Sequence, residues 1–161
     1  MDNKTPSMEA LERLVNRYSG LLYRHSLMML GRPTDAEDVV QETFLRYMQK
    51  APRLNGEDHE KAWLLTVAMN LCRNQLRQHK AHPATSLDGC PEPIAPPADT
   101  AVLEGIAALP DKVKVVVLLH YVEGYKVREI AARLHLTPST VKMRLQKGRQ
   151  LLREYIKEER I

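Results

Sequence analysis

The last third of the chain contains two runs of apolar positions at helical spacing, separated by a short polar break. In the first run the apolar positions recur every three or four residues, which gives a helix one apolar face; they are Val127, Ile130, Ala131 and Leu134. After the break, Thr137 stands where a helix N-cap is favoured, and Pro138 follows at the first helical position, where its missing N–H costs nothing. The pattern predicts two short helices around a tight turn.

The second of these helices is predicted to have two different faces. At about 100° per residue, its apolar positions fall within one narrow arc, which holds Val141, Leu145, Gly148 and Leu152. A basic and polar arc lies elsewhere, beside Met143, and holds Lys142, Gln146, Arg149 and Arg153. One face can therefore pack on the partner helix while the other enters a DNA groove, as in a helix-turn-helix. A helical hairpin with a solvated cationic face would show the same pattern, so the rest of the chain has to decide.

The N-terminal half predicts three helices, and strand patterns are absent from it. The second helix opens with Thr34-Asp35-Ala36-Glu37, which is a capping-box pattern. The first helix has apolar positions from Leu11 to Met28 on one face and is predicted to stop near Gly31-Arg32-Pro33. The second extends from Thr34 to just before Pro52, and the third from about Glu60 to Lys80, with a loop from about Ala51 to His59 between them.

A proline-rich segment separates the two halves of the chain. Five of the ten prolines lie within residues 83–102, together with small residues and little to bury, which is typical of a semi-stiff tether. We therefore expect an all-α fold of two small domains, a three-helix domain at residues 1–82 and a helix-turn-helix domain at residues 103–161, joined by this linker. The second domain adds a helix after Pro110, although its valine-rich run is also compatible with a strand.

Charge is distributed unevenly along the chain. The whole sequence has a formal net charge of +4; residues 103–161 hold 12 bases and 7 acids, which is +5, whereas residues 83–102 hold 3 acids and no base. A basic C-terminal domain fits a polyanionic partner. A solvated helical surface would look similar, so charge alone decides little.

The third predicted helix shows one polar stripe on an otherwise apolar circumference. Residues 61–82 contain four bases and no acid. The stripe consists of Thr66, Asn70, Arg73 and Arg77, with Asn74 next to it and Trp63 at its border. Arginine pairs with phosphate, asparagine can hydrogen-bond base edges, and an aromatic face can stack on unpaired bases. The stripe favours nucleic-acid binding, although Trp63 by itself is better explained as a core residue.

The second predicted helix is acidic. Its acids and amide cluster at Asp35, Glu37, Asp38, Gln41 and Glu42. Acids in the first turn complement the helix dipole, which is a sufficient structural reason for Asp35 and Glu37. The remaining three continue beyond the first turn and would suit a basic protein partner better than DNA.

Several function classes find no support in the sequence. It has no phosphate-cradling glycine loop and no nucleophile motif with a base at recognisable spacing. The spacing of Cys72, His79, His82 and Cys90 matches no familiar zinc-ligand pattern. We therefore expect no catalytic activity, no metal, no cofactor and no small-molecule substrate. The N-terminal residues lack the apolar segment of a signal peptide, so a cytoplasmic protein is expected.

In this order the segments resemble those of a bacterial RNA polymerase sigma factor of the extracytoplasmic-function (ECF) class. Residues 35–50, DAEDVVQETFLRYMQK, resemble the polymerase-binding segment of conserved region two. Residues 59–80, HEKAWLLTVAMNLCRNQLRQHK, resemble the helix that meets the promoter minus-ten element. Residues 108–154 are similar to region four, which reads the minus-thirty-five element. Each segment is moderately specific, and three in this order around a proline-rich linker are strongly specific.

The resemblance implies a role for each surface. The acidic helix would bind the clamp coiled coil of the largest polymerase subunit through Asp35, Asp38, Gln41, Glu42 and Leu45, and the C-terminal domain would contact the flap of the second-largest subunit. Melted minus-ten DNA would contact Trp63, Thr66, Asn70, Arg73, Asn74 and Arg77, with Asn70 lining the pocket for a flipped base. The minus-thirty-five element would contact Ser139, Thr140, Lys142, Met143, Arg144, Gln146, Lys147 and Arg149. Met69 departs from the family, which often has a basic or polar residue there.

The expected function is therefore that of a sigma factor, which directs core RNA polymerase to specific promoters and promotes transcription initiation. Its expected partners are core RNA polymerase, promoter DNA and an anti-sigma factor. The alternative is a helix-turn-helix regulator that acts without joining polymerase. Such a regulator would need a dimer surface for paired half-sites, and no apolar face in the sequence offers one.

Overall fold

The computed structural model describes residues 5–81 and 100–159. All regular structure in these two ranges is helical, which confirms the all-α class. The chain divides into two units, Met1–Cys90 and Pro91–Ile161. None of the described helices is long and apolar enough to cross a membrane.

The first unit is a bundle of three helices, as predicted. They are α1 (Met8–Leu30), α2 (Pro33–Lys50) and α3 (Glu57–Ala81), and each packs on the other two. The largest fully buried side chains come from all three: Leu14, Leu22, Val39, Leu64, Leu65 and Met69. Because Met69 is wholly buried, this departure from the family lies in the core and leaves the polar stripe of α3 unaltered.

The start of α2 differs from the predicted capping box. The helix begins one residue earlier, at Pro33, and its N-cap is Arg32, which makes no side-chain capping hydrogen bond. Pro33 sets this boundary because its fixed φ suits the first helical position. Gly31 ends α1 with a φ of 75°, and its N–H donates to the Leu27 carbonyl, so the turn between the helices is only two residues long.

Helix α3 begins three residues earlier than predicted, directly after Gly56, whose φ is 89°. The early start brings Glu57 and Glu60 into the first turn, where carboxylates complement the helix dipole. Tyr18 of α1 donates to the Glu57 carbonyl at 3.2 Å and to Glu60 Oε2 at 3.3 Å. These contacts fix the start of α3, and with it the direction of the polar stripe.

The second unit contains four α-helices and one turn of π-helix in its described residues. They are α4 (Thr100–Ala107), α5 (Asp111–Val117), the π-turn (Leu118–Val122), α6 (Val127–Leu134) and α7 (Pro138–Glu159). The valine-rich run lies in α5, so the strand alternative is excluded. Helix α4 was not predicted and begins inside the range expected to be a linker, whose residues 83–99 lie outside the described part of the chain.

Helix α7 packs closely on α5 and α4 through its glycine-containing face. Val141 and Leu145 are buried, as the arc predicted. A Cβ at Gly148 would lie 2.6 Å from Cγ2 of Val117 and 3.1 Å from Cγ1 of Val113. Only glycine permits this approach of α7 to α5, which holds the opposite face of α7 away from the unit.

Candidate nucleic-acid and protein interfaces

The start of α7 has the predicted cap. The Thr140 N–H donates to Oγ1 of Thr137 at 3.2 Å, and the two threonine hydroxyl oxygens are 2.8 Å apart. Before this cap, His135 ends α6 in the left-handed region with a φ of 57°, and the Leu136 N–H donates to the Ala131 carbonyl at 2.9 Å. Two helices joined by such a short turn form the predicted helix-turn-helix.

The predicted minus-thirty-five residues lie on the outer side of α7, with two exceptions in their exposure. Five are exposed together with Arg149: Ser139, Lys142, Met143, Gln146 and Lys147. Thr140 is half-buried because it completes the cap. Arg144 is also half-buried, and its Nη1 atom is buried without a hydrogen-bond partner in the described residues. The exposed side chains form a cationic strip with one thioether and one amide.

Arg149 is held by a residue that its sequence pattern does not indicate. Its Nη1 donates to the hydroxyl of Tyr121 in the π-turn at 2.7 Å. Tyr121 itself is 50% exposed. No periodicity in the sequence relates positions 121 and 149. The pair therefore became visible only from the packing of α5 and α7.

The polar stripe of α3 is present as a surface of partly exposed side chains. Arg73 Nη1 donates to Oδ1 of Asn70 at 3.3 Å, and Arg77 Nη2 donates to Oδ1 of Asn74 at 3.0 Å. These bonds turn each amide oxygen towards a guanidinium of the following turn. Thr66 lies at the other end of the stripe and donates to its own helix, to the Ala62 carbonyl, at 2.7 Å. The stripe presents cations and amides side by side, a combination suited to a nucleic-acid strand.

Trp63 belongs partly to the core and partly to this stripe. Its ring contacts buried Tyr47 of α2 edge-to-face, with centroids 6.0 Å apart and an angle of 73° between the planes. The tryptophan is half-buried, unlike Leu64 and Leu65, which are fully buried. The prediction that Trp63 is a core residue is therefore correct for the part of the ring that contacts Tyr47, and the rest of the ring borders the polar stripe.

Some side chains on the acidic face of α2 form ion pairs with other described residues, and Asp38 does not. Glu42 is paired with Arg46 one turn along at 3.3 Å, and Asp35 lies 3.9 Å from His79 of α3. Asp38 is exposed and has no ion pair or hydrogen bond within the described residues. An exposed pair such as Glu42–Arg46 contributes only about 0.3–0.5 kcal/mol, so a cation from a partner could displace Arg46 at little cost.

Two cavities flank this acidic face, and sequence reasoning missed both because each joins separate helices. A polar cleft of about 280 Å³ between α2 and α3 is lined by Asp38, Val39, Glu42, Arg46, Leu71, Asn74, Gln75 and Gln78. An apolar groove of about 420 Å³ between α1 and α2 is lined by Leu11, Val15, Ser19, Val40, Gln41, Phe44, Leu45 and Met48. Gln41 and Leu45 border the groove, and Leu45 is 54% exposed. Four of the five predicted polymerase-binding residues therefore line one of the two cavities, Asp38 and Glu42 the polar cleft and Gln41 and Leu45 the apolar groove.

Metal or thiol chemistry has no visible site in the described ranges. No group of three or more His, Cys, Asp or Glu side chains is arranged to hold a metal ion there. Cys72 is fully buried, and burial raises the pKa of its thiol to about 12. A thiol with such a pKa remains protonated and unreactive at neutral pH.

Comparison with known proteins identifies the class to which this architecture belongs. Residues 14–82 match the family Sigma-70 region 2, and residues 99–152 match Sigma-70 region 4. The chain is 31% identical to the ECF RNA polymerase sigma factor SigL of Mycobacterium tuberculosis over 92% of this chain and 89% of that protein. It is 26% identical to SigW of Bacillus subtilis over 96% and 93% of the two chains. The chain belongs to the ECF RNA polymerase sigma factors, which direct the polymerase to promoters.

Two further comparisons concern extent and fold. The probable sigma factor RfaY of Xanthomonas campestris is 28% identical over 90% of this chain, which spans 40% of that protein. The sigma factor RpoE of Bartonella quintana, solved with the anti-sigma factor NepR, has a TM-score of 0.71 at 19% identity and covers 93% of this chain and 98% of its own. The likeness to RpoE shows the shared fold.

Proposed function

We propose that this sigma factor binds core RNA polymerase through the outer face of α2. The face consists of Asp35, Asp38, Gln41, Glu42 and Leu45. The exposed carboxylate of Asp38, the replaceable Arg46–Glu42 pair and the adjacent apolar groove suit a basic helical partner, which the clamp coiled coil of the largest subunit would supply. This combination of acid and groove supports the proposal most directly.

The stripe of α3 is the proposed contact for melted minus-ten DNA. Asn70 and Asn74 would hydrogen-bond an extruded base or its sugar, while Arg73 and Arg77 would contact phosphates. Thr66 and the exposed part of Trp63 border the same surface, where an aromatic edge can contact an unstacked base. Since this stripe and the acidic face of α2 belong to one unit, polymerase docking would deliver α3 to the same promoter.

The outer side of α7 is the proposed reader of the minus-thirty-five element. Lys142, Met143 and Gln146 would face base edges in the major groove, and Ser139 and Thr140 would lie at its entrance. Arg144 and Lys147, on the outer flank, would contact phosphates, and Arg149 continues the face of Lys142 and Gln146. The flap of the second-largest polymerase subunit is the proposed protein contact of this unit.

The domains at residues 1–82 and 103–161 would act as two weak DNA-binding modules on one tether, residues 83–102. Polymerase would supply the effective concentration that brings both to one promoter. The chain would thus act by binding, without catalytic activity or cofactor, and in the cytoplasm, where transcription takes place. Free protein would bind duplex promoter DNA poorly.

An anti-sigma factor is a further proposed partner. The sigma factor RpoE was solved in complex with the anti-sigma factor NepR, and CnrH was solved in complex with the cytosolic domain of CnrY. A segment of such a protein would compete with polymerase for the apolar groove between α1 and α2, which accepts the side chains of an amphipathic helix.

In-vitro transcription with core polymerase tests these assignments. Asp38→Arg should abolish promoter-dependent transcription, because it places a cation against a basic partner. Lys142→Ala should still assemble with polymerase but lose discrimination between minus-thirty-five sequences, with about 1–3 kcal/mol at stake for a specific base contact.

The matched controls are Glu37→Arg on α2 and Lys112→Ala on α5, which change the same charges at exposed positions outside the proposed surfaces. Both should transcribe as the wild type does. Full activity of Asp38→Arg, or equal loss in Glu37→Arg, would contradict the assignment of α2.

A further inference from the structure

Tyr121 lies on an exposed part of the helix-turn-helix unit, in a backbone conformation that is rare. In the π-turn the Glu123 N–H donates to the Leu118 carbonyl at 3.1 Å, five residues back, so one extra residue is inserted into the helix. Single π-turns are frequent at functional sites, because the inserted residue shifts a side chain away from the regular helical face. Here Tyr121 is left 50% exposed.

The tyrosine ring is held in place by its neighbours. It contacts the ring of His120 edge-to-face, with centroids 4.8 Å apart and an angle of 79°. His120 is itself fixed, since its Nδ1 lies 2.8 Å from the Tyr125 carbonyl oxygen. A side chain anchored in this way loses little conformational entropy when it binds a ligand, which favours a binding role.

Arg149 lies far along α7 from the end that enters a DNA groove. Recognition helices contact base edges mainly with their N-terminal residues. Arg149 is the twelfth residue of α7, which places it about 16 Å from the helix start at 1.5 Å per residue. The major groove is about 12 Å wide. Arg149 lies on the same face as Lys142. When the N-terminal end of α7 enters the groove, Arg149 would lie beyond its width, level with the sugar-phosphate backbone.

The hydrogen bonds of the pair leave a donor for a phosphate. Arginine has no acceptor, so the Tyr121 hydroxyl oxygen accepts from Arg149 Nη1 and keeps its own proton for donation. Within the described residues, no acceptor takes this proton. A phosphate oxygen would accept from the phenol and from a second N–H of Arg149 together, whereas a purely structural bond between two exposed side chains would add little stability.

We propose that Tyr121 and Arg149 together bind one backbone phosphate at the edge of the minus-thirty-five major groove. Tyr121 is thereby a DNA-contacting residue, and Arg149 positions α7 on the duplex and does not read a base. This inference rests on the proposed binding of α7 to that element. It predicts a loss of affinity that is equal for all minus-thirty-five sequences when either side chain is altered.

Promoter binding by the complete holoenzyme tests the pair, with duplexes that carry a neutral methylphosphonate at each minus-thirty-five phosphate in turn. For the wild type, the methylphosphonate should weaken binding at one position only, by roughly two- to tenfold, which is the range of a single hydrogen bond. Tyr121→Phe should weaken binding to unmodified DNA by a similar factor. A methylphosphonate at that one position should then weaken the binding of this variant little further. Arg149→Gln should also lower the salt-dependence slope by about one.

Two variants serve as controls. Tyr155→Phe removes a hydroxyl that lies 3.5 Å from Oε2 of Glu104, and it should bind as the wild type does. Lys142→Ala should lose sequence discrimination while keeping its sensitivity to the same methylphosphonate.

Three results would overturn the inference. If Tyr121→Phe matches the wild type while Lys142→Ala loses discrimination, the phosphate contact is wrong and the role of α7 stands. If Arg149→Gln changes the preferred base at one position, Arg149 reads sequence. If Lys142→Ala behaves as the wild type on every minus-thirty-five sequence, both the role of α7 and the phosphate contact fail.

Discussion

Arg13 of α1 and Glu60 of α3 form a charged hydrogen bond with Nη2 and Oε1 2.8 Å apart. Glu60 is only 8% exposed, and the bond from Arg13 is the main reason that its pKa lies below the ordinary value, with Tyr18 adding a further donor. This contact joins α1, the first helix of the bundle, to the start of α3, which carries the polar stripe.

The contact between Arg13 and Glu60 should stabilise the first unit. Glu60→Gln should lower the free energy of unfolding by about 1–3 kcal/mol at pH 7, because it replaces a buried carboxylate that accepts two hydrogen bonds from Arg13 and one from Tyr18. Glu57→Gln, which alters the exposed pair between Arg17 and Glu57, should cost less than about 1 kcal/mol. Urea unfolding of the full chain measures both.

The same contact sets a pH dependence. A carboxyl whose pKa is depressed in the folded state stabilises the protein above its unfolded pKa, about 4.3 for glutamate, and loses this contribution as the pH falls through the folded value. The stability difference between wild type and Glu60→Gln should therefore be constant near neutral pH and shrink below about pH 4.3. A difference that grows on acidification would contradict the assignment.

Substitution of Gly148 tests the close packing of α7 on α5. Gly148→Ala would place a Cβ 2.6 Å from Val117, so α7 or α5 must shift, and a loss of about 1–3 kcal/mol is expected for such overpacking. Gly20→Ala is the matched control, since its nearest neighbour is the end of the flexible Arg24 side chain at 3.5 Å. In α1 that substitution should be neutral or stabilise by up to about 1 kcal/mol. Thermal unfolding of both variants would decide.

The N-terminal cap of α7 depends on the side-chain hydroxyl of Thr137, which one substitution removes. Thr137→Ala should destabilise the helix-turn-helix unit by about 0.5–2 kcal/mol, because it leaves the Thr140 N–H without its acceptor, whereas Thr137→Ser should retain most of the stability. Holoenzyme binding to the minus-thirty-five element should weaken only in the alanine variant. Equal stability of the two variants would show that the hydroxyl does not cap the helix.

Cys72 should be chemically inert in the folded chain. With a pKa near 12, its thiol should react with a maleimide or disulfide reagent at pH 7 only when the first unit opens. A Cys90→Ser variant isolates this thiol for kinetic labelling. Rapid labelling under native conditions would mean that the site is accessible and open to a redox role.

Much of the fold follows from local sequence signals. The apolar arcs of α1, α6 and α7 located these helices, and Thr137 with Pro138 located the start of α7, because period and capping are properties of neighbouring residues. The second helix was placed correctly while its start was wrong, since a proline at the first helical position competes with a capping box one residue later. Helix α4 was missed because it directly follows a proline-rich segment.

The contacts between helices could not be predicted from the same signals. The sequence indicated acids on α2 and amides on α3, but not that Asp38 and Asn74 line one cleft or that Leu45 borders a groove shared with α1. Tyr121 was overlooked because its importance depends on a bond to a residue 28 positions away. Such pairs are set by packing, and their signal appears only when helices are assembled.

The first unit of the chain is proposed to bind core RNA polymerase through α2, and a direct binding measurement tests this proposal. Purified full-length protein, free of any inhibitor, should form a stoichiometric complex with core RNA polymerase at low ionic strength, and Glu37→Arg should do the same. Asp38→Arg should fail to form the complex while keeping its helical circular dichroism. If the wild-type chain does not associate with the core enzyme, or if folded Asp38→Arg associates as tightly as the wild type, the claim is contradicted.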